Sequence, residues 1–344
     1  MELIIDSSWT KQIEYSTASF FHSQGSAAAW KSSKISFQYP FCREWYILFA
    51  YDTNILAIEK DERTLRDRVI SELIKLSNWF ALNRLSLNYV KTEYINFSKT
   101  CKTLNETELS IEIDDSPISK VKECKFLGVY LDSNISWRKH ISNVIRKLSQ
   151  TVGILGRARR FMDSPQMILL YNTMVLPHLQ YCLTNWGDFK EDRNLKYRDR
   201  LLRLHKCFVR IIHGASRLSH ADPLFAQSNA LKIDDLFKQS IRCFSFKLSK
   251  NMLPSRMAAL GSRITHSYRT RGSQINLNIN CSDHRSLRYI APNHWNPLSM
   301  SLKQSPSISS FKANSKKELL STYSKFVCTT PNCPSCPPSV SNPW

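Results

Sequence analysis

Apolar positions repeat with two different periods along this chain, and the change falls near Trp137. Between Glu44 and Leu131 the pattern is that of strands around one helix. WYILFA, from Trp45 to Ala50, is apolar and aromatic, as a buried strand is, and ILAI resumes at Ile55. The intervening YDTN carries the turn formers Asp52 and Asn54, which predicts a hairpin with Tyr51 and Asp52 near its tip. Leu65, Val69, Leu73, Leu76 and Phe80 then fall three and four apart, the stripe of a helix from about Glu62 to Phe80 with Asp61 as its N-cap. RLSLNYVKTEYINFS, from Arg84, alternates and predicts a strand pair, and further strands are expected over Leu109–Ile113 and Lys125–Leu131.

Beyond Trp137 the period becomes helical. Ile141, Val144, Ile145, Leu148, Val152 and Leu155 line one side of a long helix that ends in Arg157, Arg159 and Arg160. Pro165 opens a helix through Met174. Two more are predicted, one from about Asn194 to His213 with Gly214 as its stop, the other over Asp234–Lys250. From Gly261 regular structure is expected to thin out, and residues 1–44 show no period, with Asp6 in IIDSS an isolated acid. The fold class is therefore α+β, in five parts: 1–44 irregular, 45–135 strands with one helix, 136–260 helical, 261–325 basic, and 326–344 a Cys- and Pro-rich tail.

Charge changes this picture more than composition does. With 48 Lys and Arg against 28 Asp and Glu, the net charge is +20, which calls for a polyanionic partner, most simply nucleic acid. Seven cysteines are scattered singly and no basic n-region precedes an apolar stretch, so reduced thiols and an intracellular location, nuclear or cytoplasmic, are expected. No transmembrane run is present, and no membrane partner is expected. Cys328, Cys333 and Cys336 form a thiolate knuckle without a fourth ligand, so zinc is not expected at the tail. His178 and His205 read as packed or surface side chains, and Tyr181 and Trp186 as core aromatics.

Five segments in order resemble non-LTR retrotransposon reverse transcriptases, with jockey-like elements the nearest subgroup. They are FAYDTN at Phe49, WFALNRLSLNYVKTEYINF at Trp79, KFLGVYLDSNISWRKHI at Lys125, LYNTMVLPHLQYCLTNWG at Leu170, and YRTRG with the later HWNPLS. The resemblance implies a partial polymerase palm over 45–135, a helical thumb over 136–260, and RNA and DNA as template and primer. It also implies RNA-directed DNA polymerase (nucleotidyltransferase) chemistry. Magnesium is the cofactor implied for any activity that remains, held between an upstream strand carboxylate and the first Asp of the hairpin pair.

Here Tyr51 stands at that first Asp, and Asp52 matches the second; Asp52 is the candidate metal ligand and, with Lys91, the candidate catalytic residue. Lys91 matches a family lysine near the incoming nucleotide. No counterpart of the upstream strand is recognisable in 1–44, which leaves an exposed sheet edge as the expectation. Arg138, Lys139, Arg146, Lys147, Arg157, Arg159 and Arg160 are the candidate nucleic-acid contacts. Three readings stay open: a reverse-transcriptase fragment with impaired catalysis, for which an intact element protein could act in trans; a non-catalytic nucleic-acid-binding protein; and a relic without selected function.

Overall fold

The computed structural model describes residues 2–6, 45–49, 52–59, 61–84, 88–97, 111–113, 116–189, 192–254, 257, 276–278, 281, 283–284 and 286–324. The chain is mixed α and β and divides into two compact units between His140 and Ile141.

The first unit is built on a five-stranded sheet. Its strands are β1 (Glu2–Asp6), β2 (Trp45–Phe49), β3 (Asp52–Ile58), β4 (Glu93–Phe97) and a two-residue β7 (Ser119–Lys120), in the spatial order β2-β3-β1-β4-β7. β2 and β3 form the expected hairpin, antiparallel with Phe49 opposite Asp52, while β3, β1, β4 and β7 are all parallel. Two small hairpins accompany the sheet: β5 (Glu112–Ile113) with β6 (Ser116–Pro117), and β8 (Glu123–Phe126) with β9 (Val129–Asp132). Successive strand residues face opposite sides, and the sheet has a core on each. Ile55, Ala57 and Tyr94 pack with Leu65, Val69 and Leu73 of helix α1 (Glu62–Leu82) and with Ile111, Ile113 and Ile118. Leu56, Ile95 and Phe97 face the other way, against Cys124, Phe126, Leu131 and Ile135. Asp61 caps α1 as predicted, its carboxylate accepting from the Thr64 amide at 2.8 Å.

Three expectations change in this unit. A strand exists at Glu2–Asp6, inserted between β3 and β4, so the hairpin is covered on that side rather than left as an open edge. Five residues are too short to show a period, and only pairing with neighbours makes them a strand. Lys125–Leu131 is two strands, because Leu127 and Gly128 take positive φ (44° and 87°) and close a two-residue hairpin turn. Of the strand pair expected from Arg84, only β4 forms as a strand among the described residues. A single 3-10 turn, Tyr89–Lys91, leads into it, capped by Asn88.

The second unit is helical. α2 (Arg138–Ala158) runs across the division and buries Ile141, Val144, Ile145, Leu148 and Leu155. α3 (Ser164–Met174) opens on a capping box between Asp163 and Gln166, with Pro165 in its first turn. α4 (Leu176–Gln180) and α5 (Leu183–Trp186) are short, separated by Cys182 at φ 53°. Trp186 is buried and donates its indole N–H to the Tyr181 carbonyl at 2.8 Å. Gly187 follows because nothing larger fits: a Cβ there would lie 2.6 Å from the Leu183 carbonyl oxygen and 2.7 Å from the Phe237 ring.

α6 (Asp192–His213) ends at Gly214, φ +62°, as predicted. α7 (Ala221–Gln227) and α8 (Ile233–Ser249) follow. Regular structure then continues where thinning was expected, as α9 (Leu287–Trp295), α10 (Met300–Lys303) and α11 (Ile308–Ser324). α11 was hard to see because its inward positions, Phe311, Ser315, Leu319 and Tyr323, include a serine that breaks the apolar stripe. It docks on α8 through Phe311, whose ring stacks on Phe246 with centroids 4.6 Å apart. Tyr323 adds a hydrogen bond to Asp235 and accepts from the Lys232 amide.

Candidate nucleic-acid interface and the hairpin end of the sheet

The hairpin turn at 50–51, and with it Tyr51, lies outside the described residues, as does the Asp52 side chain; the backbone places Asp52 at the head of β3. From there the parallel register is informative. Glu2 of β1 is level with Asn54 of β3 and with Glu93 of β4, whereas Asp6 is level with Ile58 and Phe97. Lys91 lies two residues before the start of β4 and is exposed. One end of the sheet therefore gathers Asp52, Glu2, Glu93 and Lys91, with Lys91 two strand spacings, about 10 Å, to the side of β3. Asp6 lies at the opposite end, six residues beyond Asp52 along β3, or about 20 Å away.

The strand beside the hairpin thus runs in the direction that carries its Asp away from the turn. A two-ion magnesium site needs carboxylates converging within a few ångströms, and the register of β1 does not bring Asp6 to Asp52. Among the described residues no group of three or more His, Cys, Asp or Glu is placed to hold a metal ion. Glu2 and Glu93 are the acids that pattern reading passed over; they stand out only once β1 is known to lie between β3 and β4.

The residues of the resembling segment at Lys125 serve to enter the helix. The Asp132 carboxylate accepts from the Ser136 amide at 2.6 Å and from the Ser136 hydroxyl. That contact holds a turn in which Ile135 and Trp137 have φ of 48° and 60°, a left-handed conformation costly for both side chains. His140 is buried in the first turn of α2.

The seven candidate cations separate into three groups. Lys139, Arg146 and Arg157 are exposed and fall on one line along α2, because spacings of seven and eleven residues return to nearly the same helical angle. Lys139 is paired with Glu123 at 3.0 Å and Arg146 donates to Asn143 at 3.0 Å. Arg138, Lys147 and Arg160 are exposed off this line, and Lys147 lies near enough to His178 to help depress that imidazole below its ordinary value, after burial, the larger cause. Arg159 alone is half-buried: its guanidinium donates to the Met162 carbonyl at 2.6 Å and lies beside Gly214 at the end of α6. There it offsets the carbonyl end of that helix; burial depresses His213 below its ordinary value, and the Arg159 charge lowers it further.

His205, read as a packed or surface side chain, is fully buried, and its Nε2 lies 2.6 Å from the Tyr171 hydroxyl. Its ring meets Phe225 edge-on, and its Nδ1 has no hydrogen-bond partner among the described residues. Burial alone lowers it to about 3, so it is neutral near pH 7, and the same burial raises Tyr171. This is core chemistry and not a ligand site. Trp186 is core as expected, and Tyr181 is half-buried, its hydroxyl pushed up to about 12 by burial. The tail cysteines and YRTRG lie outside the described residues. Among the described residues, no helix is long and apolar enough to cross a membrane.

Over 143 residues, 40% of its length, the chain is 22% identical to the "Probable RNA-directed DNA polymerase from transposon X-element" of Drosophila melanogaster. The match spans 15% of that protein. No family model matches the chain, and no solved structure matches it.

Proposed function

We propose that this chain derives from a non-LTR retrotransposon reverse transcriptase, with a partial palm before a thumb-like helical unit, and that it binds nucleic acid without polymerising DNA on its own. The observation that carries the reading is the similarity to the transposon polymerase, which supports a reverse-transcriptase-like origin. The five ordered segments, a hairpin beside a parallel strand, and the exposed cations of α2 are consistent with it.

In such polymerases two divalent ions clamp the attacking and leaving oxygens of phosphoryl transfer. The residues here do not fit that pair. A phenol stands at position 51, where a carboxylate is required, and phenols, with ordinary pKa values of about 10, are neutral at pH 7 and weak ligands for a hard cation. Of the two acids of the adjacent strand, Asp6 is at the far end of the sheet, and Glu2 stands level with Asn54, two residues along from Asp52. What the chain's own groups can do is hold phosphates. Exposed guanidinium and ammonium groups on α2 displace the counterions of a nucleic-acid backbone, giving binding that weakens steeply with salt.

The test is primer extension with an RNA template and magnesium or manganese, run beside labelled-oligonucleotide binding at graded salt. The expected result is salt-sensitive binding with no extension, for the chain as it stands and for Tyr51→Asp alone. Extension by Tyr51→Asp is expected only when an upstream fragment of an intact element protein is supplied in trans. Unaided copying by the purified protein overturns the proposal.

A further inference from the structure

Among the described residues, the most exposed large apolar side chain is on the turn after α2, next to its cations. Phe161 is 88% exposed, a solvent-facing ring between Arg160 and the α3 cap. Single exposed apolar residues are ordinary; this one is set apart by how its turn is held and by what surrounds it. Arg159 fastens the turn from beneath, donating to the Met162 carbonyl at 2.6 Å while its guanidinium reaches Gly214, where an added Cβ would meet it at 3.3 Å. Ser164 donates to the Ile212 carbonyl at 3.1 Å, closing the same junction. The turn after α6 is thereby brought alongside. It carries exposed Arg217 and Leu218, the latter 67% exposed, and is itself held by Arg210 donating to the Ser219 carbonyl at 2.9 Å.

The turn that carries the ring is thus held in place; Arg157 and Arg160 precede the ring in the chain and Arg217 lies on the adjoining turn, all three exposed. The acid nearest in sequence, Asp163, is engaged as the cap of α3, accepting from the Gln166 amide at 3.1 Å. A flat apolar ring edged by cations matches a ligand that is flat and apolar at one point and anionic on both sides, which is an unpaired nucleotide in a strand. Arg146 and Arg157, eleven residues apart and about 16 Å along one helix face, supply phosphate positions leading to it. A duplex keeps its bases stacked inside and can use the cations but not the ring.

We infer that Phe161 is a base-stacking platform for single-stranded nucleic acid, with Arg157, Arg160 and Arg217 holding the flanking phosphates. The inference rests on the nucleic-acid-binding part of the proposed function. An anionic membrane surface would also attract cations beside an apolar ring; the singly presented aromatic at the end of a cation row favours a strand.

The experiment measures binding of the full chain to a labelled oligothymidylate, to a duplex of equal length, and to vesicles of phosphatidylserine and phosphatidylcholine. Phe161→Ala is expected to weaken the single strand about tenfold at fixed salt, leaving the duplex and the salt slope unchanged. Phe161→Trp is expected to restore single-strand binding. Arg157→Ala with Arg160→Ala is expected to weaken both nucleic acids and flatten the salt slope. Because the ring packs against solvent, the variants are expected to keep the circular-dichroism spectrum and melting of the parent. A Phe161→Ala variant that binds both nucleic acids as the parent does, or loses both equally, overturns this inference and leaves the proposed function standing. So does a loss confined to vesicles. A parent chain that binds no nucleic acid overturns both.

Discussion

The sheet unit and the helical unit depend on geometry in opposite ways. At the hairpin end of the sheet, function hangs on convergence: a cation is held only if several carboxylates meet within a few ångströms, and one strand direction decides whether they do. On α2 nothing has to converge. Phosphates lie at intervals along a strand, so a row of cations retains binding when any member is lost, each contributing a similar share. A convergent site is therefore disabled by a single substitution or a reversed strand, whereas a charged row degrades by degrees. This is the physical reason for proposing that the helices, rather than the hairpin end of the sheet, bind nucleic acid.

The contrast can be broken or sharpened by experiment. The largest effect is expected from Trp186→Ala, which empties a fully buried site on the helical unit and should cost about 3–5 kcal/mol in urea unfolding. The row's binding should disappear with it, which would tie the charge row to a folded core. Acid should come next. His205 is neutral when folded, its ordinary value of 6.5 lowered to about 3 by burial, so the unfolded state binds a proton that the native state refuses. Stability supplied by this group is complete above pH 6.5 and is lost as pH falls toward 3. At pH 5 about 2 kcal/mol of it is expected to be gone, read as a drop in melting temperature that His205→Phe makes shallower.

Smaller still, Arg146→Ala with Arg157→Ala should lower the salt slope of binding by about 1.5 and weaken single strands and duplexes alike. A loss confined to one base sequence would break the comparison, because it would mean that the row reads bases. The smallest change is expected from Asp61→Ala in the sheet unit. It removes the cap on α1, read as a small fall in the midpoint of chemical denaturation, without changing nucleic-acid binding.

Much of the helical unit was visible in spacing: the buried positions of α2, the Pro165 start of α3 and the Gly214 stop of α6 all follow from local rules. Its C-terminal helices were not, since α9 contains Pro292 and α11 places Ser315 among its buried positions, and both are stabilised by packing on α8. In the sheet unit the hairpin and α1 were legible and the neighbouring strand was not.

Residue identity alone determined the charge of the chain, the phenol at position 51, and the spacing that lines Lys139, Arg146 and Arg157 along one face, because each depends only on composition or on a helix's own period. Tertiary structure decided which acid stands near the hairpin and which arginine is fastened. Strand order and direction put Glu2 level with Asn54 and carried Asp6 to the other end. The junction of two turns engaged Arg159 and left Phe161 facing solvent. Both outcomes arise from contacts between segments far apart in the chain, which no local pattern of apolar and polar residues encodes.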